Sequence, residues 1–415
     1  AVTLASGATQ SGFGRTGTVD WQTTIKTAGF TAANGEGYFV NTTSGAITIN
    51  LPAGSAGDIV AFKDYANTWD TNGVTLSPNG SDKIGGVAAT ALLNTESQSV
   101  TLIFTDSTRG WIDVHDSTSS VEGAQFIAAT GGTITTVCTN FKVHTFTGPG
   151  TFEVTTAGNP SGSDTVSYMV VAGGGSGGAT HGGGGGAGGF REGKASTCSF
   201  TASPLAATSG LPVSAQSYPI VVGGGGAAPA NPVAPPFTGS SGSDSSFSTI
   251  TSTAGGRGGG GGAPTGFGAD GGSGGGGGNS GPFAGGSGNT PVVNPAQGQD
   301  GGNGNGSGGT GGGGGATATG VPAPGSTNTG GNGGAGATTS INATPTAFAG
   351  GGGGGASGGT KGCGGAGGGG DGSVTTSALA PSGTANTGGG GGGGGSSGAG
   401  GTGGSGIVII RYRFQ

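Results

Sequence analysis

The sequence predicts an all-β protein in two unlike parts. An N-terminal, antiparallel β-sandwich-like module is followed by a glycine-rich bundle of polyglycine-II helices, closed by a C-terminal strand. Three observations carry this reading. Residues 1–172 hold 22 Gly and 19 charged residues, whereas 173–415 hold the other 90 Gly and only 11 charges. In the first part, short runs of Val, Ile, Thr and aromatics alternate with Gly, Pro, Asn and Asp turns. No stretch sustains a helical apolar period beyond one or two turns.

Residues 1–20 read as a connecting or anchoring segment. They lack a basic start and an apolar h-region, so no signal peptide is expected, and the missing Met suggests a trimmed or partial product. Residues 21–117 form the β module. In 37–52, Ile47, Ile49 and Leu51 share one face, and DIVAFKDYA (58–66), GVTLSP (73–78), SVTLIFTD (99–106) and GWIDVHD (110–116) follow at short intervals. Residues 118–140 read as a linker. FKVHTFTGPGTFEVTTAG (141–158) reads as a hairpin turning at Gly-Pro-Gly, with Val143, Phe146, Phe152 and Val154 facing a core. The strand TVSYMVV then runs into glycine, so 141–172 leads into the glycine-rich domain at 173–406. The last strand (407–415) is expected to pair with 165–172 and bring the two ends of that domain together.

The glycine runs are too numerous, and too regularly interrupted by apolar segments, for a flexible tether. Collagen needs Gly at every third residue with abundant Pro, which runs of consecutive Gly and 19 Pro in the whole chain deny. Polyglycine-II helices remain: they have three residues per turn and no internal hydrogen bonds, so their backbone groups point outward to neighbours. Only glycine allows backbones so close. The intervening segments, which hold the Pro, Phe, Asn and Thr, become loops at the ends of a rigid slab, where binding residues are favoured.

Of 415 residues, 112 are Gly, 30% hydrophobic and 7% charged. Ordinary globular chains carry about 25% charged residues, and this composition cannot build a large α/β or helical enzyme. No apolar run is long enough to span a membrane as a helix. Twelve Lys and Arg, within a net charge of -6, make no footprint for nucleic acid.

Catalytic and metal motifs dissolve on inspection, so no catalytic residue, cofactor or metal site is expected. GxSxG at Gly174–Gly178 and at Gly271–Gly275 is what a glycine-rich region produces by chance, without the strand–turn–helix of a nucleophile elbow. Gly188–Lys194 approaches a phosphate-binding loop, but Ala195 stands where Ser or Thr is needed and no helix former follows. GGNGNGSGG (301–309) resembles a calcium-binding nonapeptide without its ligand Asp. Asp70, Asp82, Asp106, Asp113 and Asp116 fall in or beside turns, where a structural calcium ion is weighed against solvated carboxylates. Cys138, Cys198 and Cys363 have no metal spacing and read as free, buried thiols, their odd number suiting assembly in a reducing host cytoplasm.

Trp21, Trp69 and Trp111, with Tyr38 and Tyr65, are expected as core or subunit-interface anchors. Phe237, Phe267, Phe283 and Phe348 differ, lying beside Pro, Gly or Ala in the glycine-rich part. They are the candidate receptor contacts, because exposed aromatics are common hot spots.

The stretch VDWQTTIKTAGFTAANGEGYFVNTTSGAITINLPAGSAGDIVAFKDYANTW resembles a β domain of tail-fibre and related structural proteins of marine bacteriophages. KVHTFTGPGTFEVTTAG, VSYMVVAGGGSGG, HGGGGGAGGFR and the ending GSGIVIIRYRFQ resemble the glycine-rich domain at the C-termini of such proteins. The second part is also similar in character to polyglycine-II adhesins at the tips of phage tail fibres. The resemblance covers about 20–415 and implies a virion fibre assembled in the host cytoplasm. It further implies a homotrimer, joined to tail or baseplate proteins at the N-terminus. Its tip loops would recognise a bacterial surface glycan or outer-membrane protein without catalysis or membrane insertion. Two alternatives stand beside it. One is a structural virion or head fibre without a receptor; the other is an ice-binding or secreted glycine-rich protein, disfavoured because Thr crowds into irregular loops.

Overall fold

A computed structural model describes residues 19–116, 123–229, 237–262, 264–279, 281–325, 328–374 and 379–415. Nearly all of the anchoring segment expected at 1–20 lies outside them, as does 118–122 of the expected linker. The chain divides into two compact units, one of residues up to Phe126 with Gly158–Ser163, the other of Ile127–Ala157 with Asp164–Gln415.

In the first unit, β1 (Asp20–Lys26), β2 (Phe30–Thr31), β3 (Glu36–Val40), β4 (Ile47–Asn50), β5 (Ile59–Asp64) and β6 (Val74–Ser77) alternate between two sheets. Each circuit re-enters a sheet in the same direction, so β1-β3-β5 and β2-β4-β6 pair parallel. Then β7 (Ala91–Leu93), β8 (Ser99–Phe104) and β9 (Trp111–Asp116) close the sheets in antiparallel fashion. The all-β class holds, but the wholly antiparallel pairing expected from the short spacing does not. The reason is burial. Ile47, Ile49 and Leu51 share one buried cluster with Val40, Val60 and Phe62 of the other sheet, so successive strands alternate between the two sheets instead of forming hairpins.

Trp69, Trp111 and Tyr38 lie in this core as expected, but Trp21 and Tyr65 do not, at 40% and 52% exposed. Buried Asp64 organises two turns at once, its carboxylate accepting the amides of Ala66, Thr68, Trp69 and Ser97. Asn159 does the same for the later segment. Its amide side chain accepts from Gln125 N–H and Gly162 N–H and donates to Gly123 O.

The second unit begins with β10 (Ala128–Thr130) and β11 (Thr133–Val137), both inside the stretch expected as linker. Their Thr-rich, exposed residues carry little apolar signal, and backbone pairing to β13 (Gly150–Thr156) and β12 (Phe141–Phe146) orders them. The expected hairpin of 141–158 is not formed. β12 joins one sheet and β13 another, and the Gly-Pro-Gly link is a corner. Phe146 and Phe152 share one core cluster, and His144 meets Phe152 at 5.1 Å, edge to face.

After β14 (Thr165–Val171) come β15 (Phe190–Gly193), β16 (Ala206–Ala207), β17 (Leu211–Pro212), β18 (Ser217–Val221), β19 (Ser245–Phe247) and β20 (Ile250–Ser252). β21 (Ala337–Thr339) and β22 (Thr346–Phe348) form a small hairpin, and β23 (Ile407–Arg413) ends the fold. β23 lies between β12 and β14, antiparallel to both, with Tyr168 opposite Ile410 and Val171 opposite Ile407. Its Val408, Ile410 and Tyr412 enter the core shared with Phe152 and Phe247, while Ile407 and Ile409 enter a second core with Phe190 and Phe348. Burial on both faces explains why IVII reads as a continuous apolar run.

From the second core the glycine runs extend as a lattice. Residues 182–189 are its axis. Their amides donate to three other segments: Gly183 and Gly186 to Gly259 and Gly256, Gly184 and Ala187 to Gly311 and Gly314, Gly182 and Gly185 to Gly394 and Gly391. Their carbonyls accept from three more: Gly183 and Gly186 from Gly178 and Gly175, Gly184 and Ala187 from Gly276 and Ser273, Gly182 and Gly185 from Gly355 and Gly352. Each partner recurs at every third residue, so six segments surround the axis, the pattern that outward-pointing backbone groups on a three-residue helix require. A Cβ at Gly185 would stand 2.1 Å from Gly175 O, and one at Gly184 2.1 Å from Gly352 O. Here glycine is demanded by the approach of neighbouring backbones.

Candidate functional site

Five of the six segments around the axis run antiparallel to it and one, Gly311–Gly314, runs parallel, so the loops between runs sort to two ends. Segments 190–221, 244–252, 290–296 and 337–349 lie at the end carrying the β-sheets, where Gly189 N–H meets Thr253 O and Phe190 N–H meets Gln297 O. The turns through Thr180 and His181, Asn305–Thr310 and Gly395–Gly398 lie at the distal end, where Thr180 N–H donates to Gly398 O and His181 N–H to Gly395 O.

Three of the four candidate phenylalanines meet at this distal end. Phe237 O accepts Ala179 N–H, which fixes it beside the first turn. A Cβ at Gly260 would stand 2.5 Å from that of Phe237, so the run bearing Gly260 is its neighbour. Gly260 N–H in turn donates to Thr265 O, and Gly268 N–H to Ala284 O, so Phe267 and Phe283 stand on neighbouring runs and the run bearing Gly260 separates them from Phe237. Phe267 is 55% exposed, and its ring meets that of half-buried Phe283 edge to face at 5.0 Å. Phe283 lies over Gly266, where a Cβ would come within 2.1 Å of the ring. Phe348 is different. It is buried at the sheet end with Met169, Phe190 and Ile409, so it supports the fold and offers no surface to a ligand.

Electrically the rim is quiet. No Asp, Glu, Lys or Arg occurs in 222–243, 258–269 or 271–299. The nearby carboxylates hold backbone: Asp270 accepts Ser287 N–H, Asp300 accepts Gly288 N–H and Asp244 accepts Ala254 N–H. The Gly364 amide, and then the Lys361 ammonium at 2.9 Å, hold the Asp371 carboxyl below its ordinary range. Sequence reasoning missed His181 at the distal tip of the axial run. Its signal was a Thr-His pair between glycine runs, and both residues take positive φ, 50° and 58°. Partial burial lowers the His181 pKa, favouring the neutral imidazole.

The other motifs are accounted for structurally. Ser176 and Ser273 are buried inside the lattice, away from any approaching substrate. Lys194 donates to Phe200 O at 2.8 Å beside the Phe200 ring. Asn305 accepts Ser307 N–H and Gly309 N–H, closing the turn of the GGNGNGSGG stretch. Asp82 accepts Gly54 N–H, and Asp106 accepts the amides of Thr108 and Arg109. Among the described residues no three His, Cys, Asp or Glu converge as for a metal ion. Cys198 is buried, but Cys138 and Cys363 are exposed, contrary to the expectation of three buried thiols, because each lies in a surface turn or run.

Residues 5–122 match the family described as bacteriophage T4 gp9/10-like protein, N-terminal. Baseplate wedge protein gp10 of Enterobacteria phage T4 is 35% identical over 89 residues, 20% of this chain and 15% of that protein. The matched stretch therefore spans a small part of that relative. Residues 146–413, most of the chain, match the glycine-rich domain family, and the protein belongs to that family.

Proposed function

We infer that this chain is a structural protein of a bacteriophage tail. In this reading its N-terminal module joins other baseplate or tail proteins, as a homotrimeric virion fibre. The distal rim of the glycine-rich domain acts as a non-enzymatic adhesin against the host surface. The similarity of residues 5–122 to T4 gp9/10-like N-terminal domains supports the first part. The observation that carries the second is the convergence of Phe237, Phe267 and Phe283 on one end of a backbone lattice. A rigid frame presenting loop aromatics loses little conformational freedom on binding, and three copies would raise avidity by about 10²–10⁴ over one.

The test uses the purified full-length chain. Antibody labelling of intact virions is expected to decorate the tail, and excess chain is expected to block phage adsorption to host cells. Tail labelling without competition would make the protein a structural fibre and end the adhesin reading. Labelling of the head would end the tail assignment. Light scattering is expected to give three times the 37.9 kDa chain mass; a monomer would remove the trimer.

A further inference from the structure

The geometry points to an uncharged saccharide as the distal rim's ligand, stacked by a C–H face of one sugar ring on the Phe267–Phe283 pair. This inference rests on the adhesin reading and names its ligand class. The ring pair is edge to face at 5.0 Å, with Phe267 more than half exposed, so one ring face is free while the other ring buttresses it. Phe237 lies on the next outer run but one, extending the same rim. Neutral polar groups at this end include the Thr265 hydroxyl, the Asn279 amide and the His181 imidazole, whose pKa burial lowers.

Charge decides between ligand classes. An acidic glycan, phosphate or nucleic acid needs Lys or Arg, and none occurs in 258–299. Protein interfaces bury about 1,200–2,000 Å² and are enriched in Arg. Two rings on a ridge with no Lys or Arg in 258–299 fit that poorly. An aromatic face two residues from the Thr265 hydroxyl suits the weakly polarised C–H face and the outward hydroxyls of a neutral sugar.

The experiment measures retention of the full-length chain on immobilised neutral polysaccharides (dextran, mannan, galactomannan) and on heparin. It also measures adsorption to host cells treated with periodate or with protease. Retention on at least one neutral polymer but not on heparin is expected, with cell adsorption lost after periodate and kept after protease. Phe267→Ala/Phe283→Ala is expected to weaken retention at least tenfold, with a circular dichroism spectrum and melting temperature like wild type. Phe267→Trp is expected to retain binding. Adsorption lost after protease but kept after periodate would overturn the saccharide and leave the adhesin standing, with a protein receptor. Preference for heparin, retention on no neutral polymer, or full retention by the folded double variant would likewise overturn it. Failure of the untreated chain to adsorb to any host cell would overturn the adhesin reading itself.

Discussion

The amide of Gly185 donates to the carbonyl of Gly391 at 2.8 Å, tying the axis of the glycine lattice to a segment near the far end of the chain. The register repeats three residues on, where Gly188 meets Gly388, and three residues back, where Gly182 meets Gly394. A lattice of this kind has no apolar interior to relax into. Its cohesion is backbone hydrogen bonding, each bond contributing about 0.5–1.5 kcal/mol net.

Gly185→Ala should therefore be severe. The new Cβ would stand 2.1 Å from Gly175 O, and both are backbone held on several sides. A loss of about 3 kcal/mol or more is expected, since two or more lattice bonds must lengthen together. Gly224→Ala is the control: nothing lies within 4 Å of its Cβ, and its effect should stay within about 1 kcal/mol. Calorimetric melting of both variants checks this, and equal melting temperatures would contradict the lattice.

The phenylalanines should separate into two classes. Phe348→Ala removes a buried ring from the second core and is expected to cost about 3–5 kcal/mol. Phe267→Ala removes a ring that is 55% exposed and should cost less than about 1.5 kcal/mol. Denaturant midpoints of the two variants measure the difference.

Arg411 is buried without an acidic partner bonded to it. Its guanidinium donates to Ile341 O at 3.3 Å and Ser199 O at 3.1 Å, and stacks on Phe141 at 4.6 Å. Arg411→Met is expected to lose about 2–4 kcal/mol, because the Ile341 and Ser199 carbonyls of two loops lose their donor. Arg411→Lys should rescue only part of it, since a point ammonium cannot span both loops. Urea unfolding of the pair gives the comparison.

Stability should fall on mild acidification, and His144 supplies a cause. Its Nδ1 faces Gly131 O at 2.7 Å, so Nδ1 carries the proton and Nε2 accepts from the Tyr412 hydroxyl at 3.1 Å. Burial lowers the His144 pKa below its ordinary 6.5 and lifts that of Tyr412 to about 12. The unfolded chain therefore binds the His144 proton more readily. The stabilisation is complete above pH 6.5 and is lost as pH drops through the folded value. His181, also lowered by burial, acts in the same direction. Melting temperatures between pH 8 and pH 5 (about the range where histidine titrates) should decline, and the slope should be shallower in His144→Gln.

Removing residues 407–415 should abolish cooperative unfolding of the second unit. β23 fills the middle of its sheet, and both cores lose Ile and Val side chains at once. Near-ultraviolet circular dichroism of the shortened chain tests this; a native spectrum would refute it.

Local chemistry made much of this protein legible in advance. The change in composition at residue 172 marks where side-chain packing gives way to backbone packing, and IVII beside YMVV announces a doubly buried strand pair. Glycine itself named the lattice, because only a residue without Cβ allows contacts such as Gly185 to Gly175. Strand direction was not legible: the pattern of Ile47, Ile49 and Leu51 gives a buried face but not which sheet supplies its partner. Nor was the corner at Gly-Pro-Gly, since a hairpin and a corner share the same turn residues. The placing of the phenylalanines was the furthest from reach. Phe348 and Phe267 occupy similar sequence surroundings, yet one is core and the other rim, because the order in which successive runs fill the lattice decides which end each loop reaches. That order is written in three-residue hydrogen-bond register between distant backbones, which are chemically identical along every glycine run. Sequence therefore determined what could pack, and the tertiary structure alone decided what packs beside what.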